Sequence, residues 1–136
     1  MILVVDSNIL FAALLRNSTV RALLIDSPHM LFAPEFIVQE IFTHEQEIVV
    51  RAGYSLREFR QLFGLVTRSL HIITKDKYMH CLAEADDLLG HVDKGDVPFL
   101  ALALSFRCDA IWTENMKHFR VQTKIKCINT SSLLRI

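Results

Sequence analysis

Five short apolar runs, at residues 2–5, 30–33, 71–73, 110–112 and 125–128, are separated by segments long enough for helices. No other feature restricts the fold of this chain so strongly. Short runs that stay apolar without a polar alternation suit strands buried on both faces. Strands of that kind belong to a parallel sheet, and their connections are helical crossovers. The alternation therefore predicts an α/β domain whose parallel sheet is covered on both faces.

The intervening segments read as helices of unequal strength. Residues 8–16 carry Ile9, Leu10, Ala13 and Leu14 at helical spacing. Ser18 or Thr19 caps a second helix to about Asp26, and Ser27-Pro28 breaks it. Pro34 suits the first turn of a helix that carries Phe36, Ile37, Glu40 and Ile41. Ser55 and Glu58 have capping-box spacing, and Leu56, Phe59, Leu62, Phe63 and Val66 make one apolar face. Thr74 opens a weaker helix through Leu88, and Asp96 precedes the most apolar one, residues 99–106. Residues 43–70, between the second and third strands, form a helical excursion hinged near Gly53. By its length this excursion is the expected place for a dimer surface or a substrate clamp.

A chain of 136 residues makes one domain, 1–136, with a sizeable core. No apolar run approaches the ~20 residues that cross a bilayer. Asp6 ends the first run before a signal-peptide core could form. The expected location is cytoplasmic, with no membrane partner. Cys81, Cys108 and Cys127 are an odd number without CxxC spacing, which argues against a disulfide framework and a structural zinc site. Lys plus Arg equals Asp plus Glu at 15 each, so net charge neither favours nor excludes a nucleic-acid partner.

Several acids stand beside core segments. Asp6 follows the first strand, Glu40 lies about two turns into the helix after the second, and Asp96 opens the helix before the fourth. Glu114-Asn115 follows the fourth strand. In open α/β sheets ligands bind outside the carboxyl ends of the strands, so parallel central strands would bring these groups together. Clustered carboxylates repel unless a cation joins them, and their hard oxygens suit Mg²⁺ or Mn²⁺. Such a site orients a phosphate and activates a water for phosphodiester hydrolysis. Each acid also has an ordinary explanation. Asp6 or Asn8 could cap the following helix, Asp96 could cap the next, and Glu40 could be a surface residue.

The chain resembles the PIN domain family, in particular its small prokaryotic VapC-type members. The matching residues are Val4-Val5-Asp6-Ser7-Asn8-Ile9-Leu10 and Phe36-Ile37-Val38-Gln39-Glu40-Ile41. Further matches are Asp93-Lys94-Gly95-Asp96-Val97-Pro98-Phe99-Leu100-Ala101-Leu102-Ala103 and Asp109-Ala110-Ile111-Trp112-Thr113. Their order and spacing cover almost the whole chain. The resemblance implies a three-layer α/β/α sandwich with a central, mostly parallel five-stranded sheet. It implies a divalent-metal-dependent endoribonuclease, using Mg²⁺ or Mn²⁺, with Asp6, Glu40 and Asp96 as the metal-binding and catalytic acids. Asp93 matches a further acid of this subgroup, and Thr113 the hydroxyl after the fourth strand. Where many members carry an acid after that threonine, this chain has Glu114 and Asn115. With Asn8, these residues make up the expected accessory site.

RNA contacts are expected from Arg16, Lys117 and His118, with Arg120 nearby and Arg51, Arg57, Arg60 and Arg68 on the excursion. The latter group also suits a solvated helix face. The resemblance further implies a toxin of a toxin–antitoxin pair, hence an antitoxin partner and a homodimer. Two other readings remain: a housekeeping RNA-processing nuclease, and a degenerate domain that binds RNA or protein without cutting.

Overall fold

A computed structural model describes residues 1–15 and 18–136. In chain order the elements are β1 (Ile2–Val5), α1 (Ser7–Leu15), α2 (Ser18–Ile25), β2 (Met30–Pro34) and α3 (Phe36–Thr43). Then come α4 (Glu45–Ala52), α5 (Leu56–Thr67), β3 (Leu70–Ile73), α6 (Leu82–Leu89) and α7 (Val97–Ser105). The chain continues through β4 (Ala110–Trp112), α8 (Met116–Phe119), β5 (Lys126–Ile128) and α9 (Thr130–Leu133).

All four strand pairings are parallel, in the order β3-β2-β1-β4-β5. The chain steps from β1 to β2 to β3 in one direction, then returns across β1 to β4. Because parallel crossovers are right-handed, that reversal moves the helices from one face of the sheet to the other. The packing agrees. Helix α1 rests against α2, α4 and α5, whereas α7 lies on β1, β2 and β4 with α6 beside it. The result is the expected sandwich of helices on both faces of a five-stranded sheet, and the sheet is wholly parallel.

The core explains which segments took which form. Leu3, Val4 and Val5 of the central strand are fully buried, as are Ile111 and Trp112 of its neighbour. Helix α7 is apolar nearly all round, and six of its nine residues are buried. A helix with that pattern belongs inside a protein. Among the described residues, no single helix is long and apolar enough to cross a membrane.

Three local expectations need correction. Pro34 ends β2, opposite Ile73, instead of opening a helix. Pairing with β1 stops at Phe32, so no partner there awaits an N–H from residue 34. Glu35 then resumes the bond to β3, its N–H reaching the Ile73 carbonyl at 2.9 Å. The expected helix 74–88 is instead two 3-10 turns, at Lys75–Lys77 and Met79–Cys81, and α6 begins only at Leu82. The Thr74 hydroxyl donates to the Asp76 carboxylate, a local bond that competes with helix formation. On α5 the capping box forms as read, Ser55 and Glu58 exchanging bonds, but Leu56 lies in solvent.

Candidate active site

The sheet reverses its strand order between β1 and β4, so their carboxyl ends open the crevice where ligands bind in such folds. Asp6 leaves β1 at that point. Its backbone N–H is held by the Trp112 carbonyl at 3.0 Å, which fixes it against the end of β4. The side chain is 2 % exposed, yet both carboxylate oxygens have donors. Oδ1 accepts from the Ser7 N–H at 2.9 Å, and Oδ2 from the Thr113 hydroxyl at 2.7 Å and the Asn8 amide at 3.1 Å.

Asn8 was expected as a rival helix cap, but it stands inside α1 and its side chain spans the two strand ends. Its Nδ2 approaches the Thr113 hydroxyl at 3.2 Å, and its Oδ1 accepts from the Glu114 N–H at 3.2 Å. Thr113, fully buried, also accepts from the Asn115 N–H at 2.9 Å. These bonds lock the start of α1 to the loop after β4.

Glu40 is the fifth residue of α3, nearer the helix start than its sequence position suggested. Its Oε1 is buried and has no hydrogen-bond partner among the described residues. Asp96 stands at the foot of α7, with Oδ2 2.9 Å from His118 Nδ1. Asp93 lies 3.8 Å from the same nitrogen through its own Oδ2. The Asp93 Oδ1 accepts from the Gly95 N–H at 2.8 Å, and a Cβ at residue 95 would sit 3.2 Å from that oxygen. Glycine there lets the carboxylate fold back over its own turn.

The electrostatics mark these acids as a group. Burial, and then the charge of Asp96, push Asp6 from its ordinary 3.8 up to about 6, although the Thr113 hydrogen bond opposes the rise. Burial and the neighbouring Asp6 push Glu40 from 4.5 up to about 7, with a hydrogen bond from Ser7 working against them. Asp96 is raised by burial and by Asp93, while its bond to His118 acts the other way. Each carboxylate is therefore strained by burial and by another acid. A dication among them would reverse that strain, and the bare Glu40 Oε1 offers it an unused acceptor. The residues present fit a hard divalent metal.

Not every expected residue joins the cluster. Glu114 is exposed and turns away, its Oε1 accepting from the Thr130 N–H at the start of α9. It therefore caps a helix and leaves the opposite wall without its carboxylate. Asn115 points to His118, Nδ2 to Nδ1 at 2.9 Å. His118 was expected beside RNA, and it reaches the acids themselves. Lys117 and Arg120 are exposed beside it, and Arg16 lies outside the described residues. On the excursion, Arg51 and Arg60 are each paired with a glutamate, Glu47 and Glu45, as a solvated face would be. Sequence reasoning missed Ser7, whose side chain acts to hold the Glu40 pKa down. Its place beside Asp6 was the only signal.

Thr113→Val keeps the shape of the buried side chain and removes the donor to Asp6. Expected results are a further rise in the Asp6 pKa and a loss of about 1–3 kcal/mol of stability. Urea unfolding measures the second, and the acid limb of any pH–rate profile should move upward.

A model of the PIN domain family matches residues 4–133 of this chain. The chain belongs to that family, as the motifs had implied. Among solved structures its fold is similar to a chain of VapBC2 from Rickettsia felis, bound to a DNA fragment from their promoter. The TM-score is 0.72 at 15% sequence identity, covering 95% of this chain and 98% of that one. A comparison with curated proteins found no match.

Proposed function

We propose that this PIN domain is an endoribonuclease that hydrolyses RNA phosphodiesters with a divalent cation, and that it serves as the toxin of a toxin–antitoxin pair. The observation that supports this most strongly is the convergence of Asp6, Glu40 and Asp96, all raised in pKa, at the strand-order reversal. These three residues would hold a Mg²⁺ or Mn²⁺ ion. When bound, such an ion supplies the positive charge that steadies the attacked phosphate and makes water a stronger nucleophile near neutral pH.

The chain's own groups do the rest. Thr113 and Asn8 hold the Asp6 carboxylate in one orientation by donating to Oδ2. Glu40 Oε1, which has no hydrogen-bond partner among the described residues, is open either to the ion or to the proton of the attacking water. Lys117 and Arg120, exposed on either side of His118 in sequence, are the cations offered to position the RNA backbone. The toxin role is supported by the likeness to the VapBC2 chain and by family membership. An antitoxin and a second copy of the chain are the partners this role calls for. The exposed apolar side chains of Phe42, Val50, Leu56 and Leu65 on α3–α5 give such a partner a surface.

Incubation with several single-stranded RNAs in Mn²⁺ is expected to yield cleavage that a chelator stops. Wild-type protein that binds these RNAs yet leaves them whole would instead support the non-cleaving reading. Glu114, turned onto α9, is the feature that favours that second reading.

A further inference from the structure

The wall opposite Asp6 lacks the acid that the family motif places after Thr113. Glu114 is committed to Thr130, and Asn115 carries no charge. One helical turn further on, α8 delivers His118 into that gap. Asp93, Asp96 and His118 each present one donor atom, and these atoms lie within 4.8 Å of one another. Ligands on opposite sides of a dication with bonds of about 2.1 Å are separated by about 4.2 Å. Donors within 4.8 Å of one another come into reach of a single ion with small side-chain rotations.

His118 faces the acids directly. Its Nδ1 lies 2.9 Å from Asp96 Oδ2 and 3.8 Å from Asp93 Oδ2, so the lone pair of a neutral ring can be aimed at the place an ion would take. A bound ion would use that one lone pair, and the Asn115 amide, 2.9 Å from the same nitrogen, would turn off it.

We propose that Asp93, Asp96 and His118 form a mixed nitrogen–oxygen metal site in which His118 replaces the absent acid. Imidazole suits first-row transition ions, whereas Mg²⁺ keeps to oxygen ligands. The site therefore favours Mn²⁺ over Mg²⁺. This inference rests on the metal-dependent reading above: Asp96 is common to both sets of ligands, and Asp93 and His118 complete its ion's shell.

The test is pulsed electron paramagnetic resonance of the full chain loaded with Mn²⁺, alongside titrations with Mn²⁺ and with Mg²⁺. Expected is ¹⁴N modulation from a directly bound imidazole, lost in His118→Gln together with roughly tenfold or more of the Mn²⁺ affinity. His118→Asp should also lose the modulation but bind Mg²⁺ more tightly, which narrows the preference for Mn²⁺. Because His118→Asp restores an acid, it guards against a fold defect in the first variant. Bound Mn²⁺ without ¹⁴N modulation, or modulation that survives in His118→Gln, overturns this site and leaves the nuclease reading intact. A chain that binds no Mn²⁺ overturns both.

Discussion

Asp6→Asn is expected to lower metal-dependent RNA cleavage on the order of 10³-fold while making the metal-free protein harder to unfold at pH 8. The two effects have one origin. Asp6 is 2 % exposed, and burial raises its pKa to about 6, so at pH 8 its ionised form is held against a cost. Asparagine has nearly the same shape, keeps an oxygen for the Thr113 hydroxyl and carries no charge, but its NH2 group then faces the Ser7 N–H. Relieving the cost of the charge is worth about 3 kcal/mol, and the lost Ser7 bond takes back about 1–2 kcal/mol of it. The substitution also removes the charge that would attract a cation. Cleavage assays and urea unfolding at pH 8 measure the two effects separately. A variant that cuts RNA normally would show that Asp6 is not a ligand. A variant that unfolds more easily would show that the buried charge is balanced by something else in the protein.

Without metal, the wild-type protein should lose stability as pH rises from about 5 to 8, and saturating Mn²⁺ should restore it. The sign follows from the direction of the shifts. Asp6, Glu40 and Asp96 all have folded-state pKa values above their ordinary ones, so the folded state holds protons that the unfolded state has released. Their contribution is complete below about pH 4 and disappears as pH passes through about 6 for Asp6 and about 7 for Glu40. Asp6 accounts for about 3 kcal/mol. Glu40 adds less, because it is only partly buried and shares its titration with Asp6. An ion that requires deprotonated ligands reverses the slope. Denaturant unfolding at intervals of pH, with chelator and with Mn²⁺, checks this. A metal-free stability that is flat or rising over that range would contradict the shared strain of the three acids.

Much of this was legible because it depends on local pattern. The apolar runs gave the strands within a residue or so, and Ser55 with Glu58 announced the start of α5. Pro34 was misplaced because a fixed φ near −65° suits both the first turn of a helix and the end of a strand. Only the length of β1 decides between them. The region 74–88 misled because Tyr78, Leu82, Ala85 and Leu89 have helical spacing although Thr74 and Asp76 bond locally first. In the site, positions could be read but orientations could not. Glu114 and His118 are four residues apart, yet the first turns out to α9 and the second in to Asp96. Thr130 and Asp96, both distant in sequence, decide those directions.

The strand order has a consequence for how this protein is made. Asp6, Asn8 and Glu40 leave the ribosome early, whereas Asp96, Thr113 and His118 follow much later. Until β4 docks beside β1, Asp6 lacks the Thr113 hydroxyl that orients it and Asp96 lacks its bond to His118. The site is therefore left incomplete during synthesis by topology alone. A chain broken off before residue 110 would carry Asp6, Glu40, Asp93 and Asp96 but neither Thr113 nor His118, which orient them.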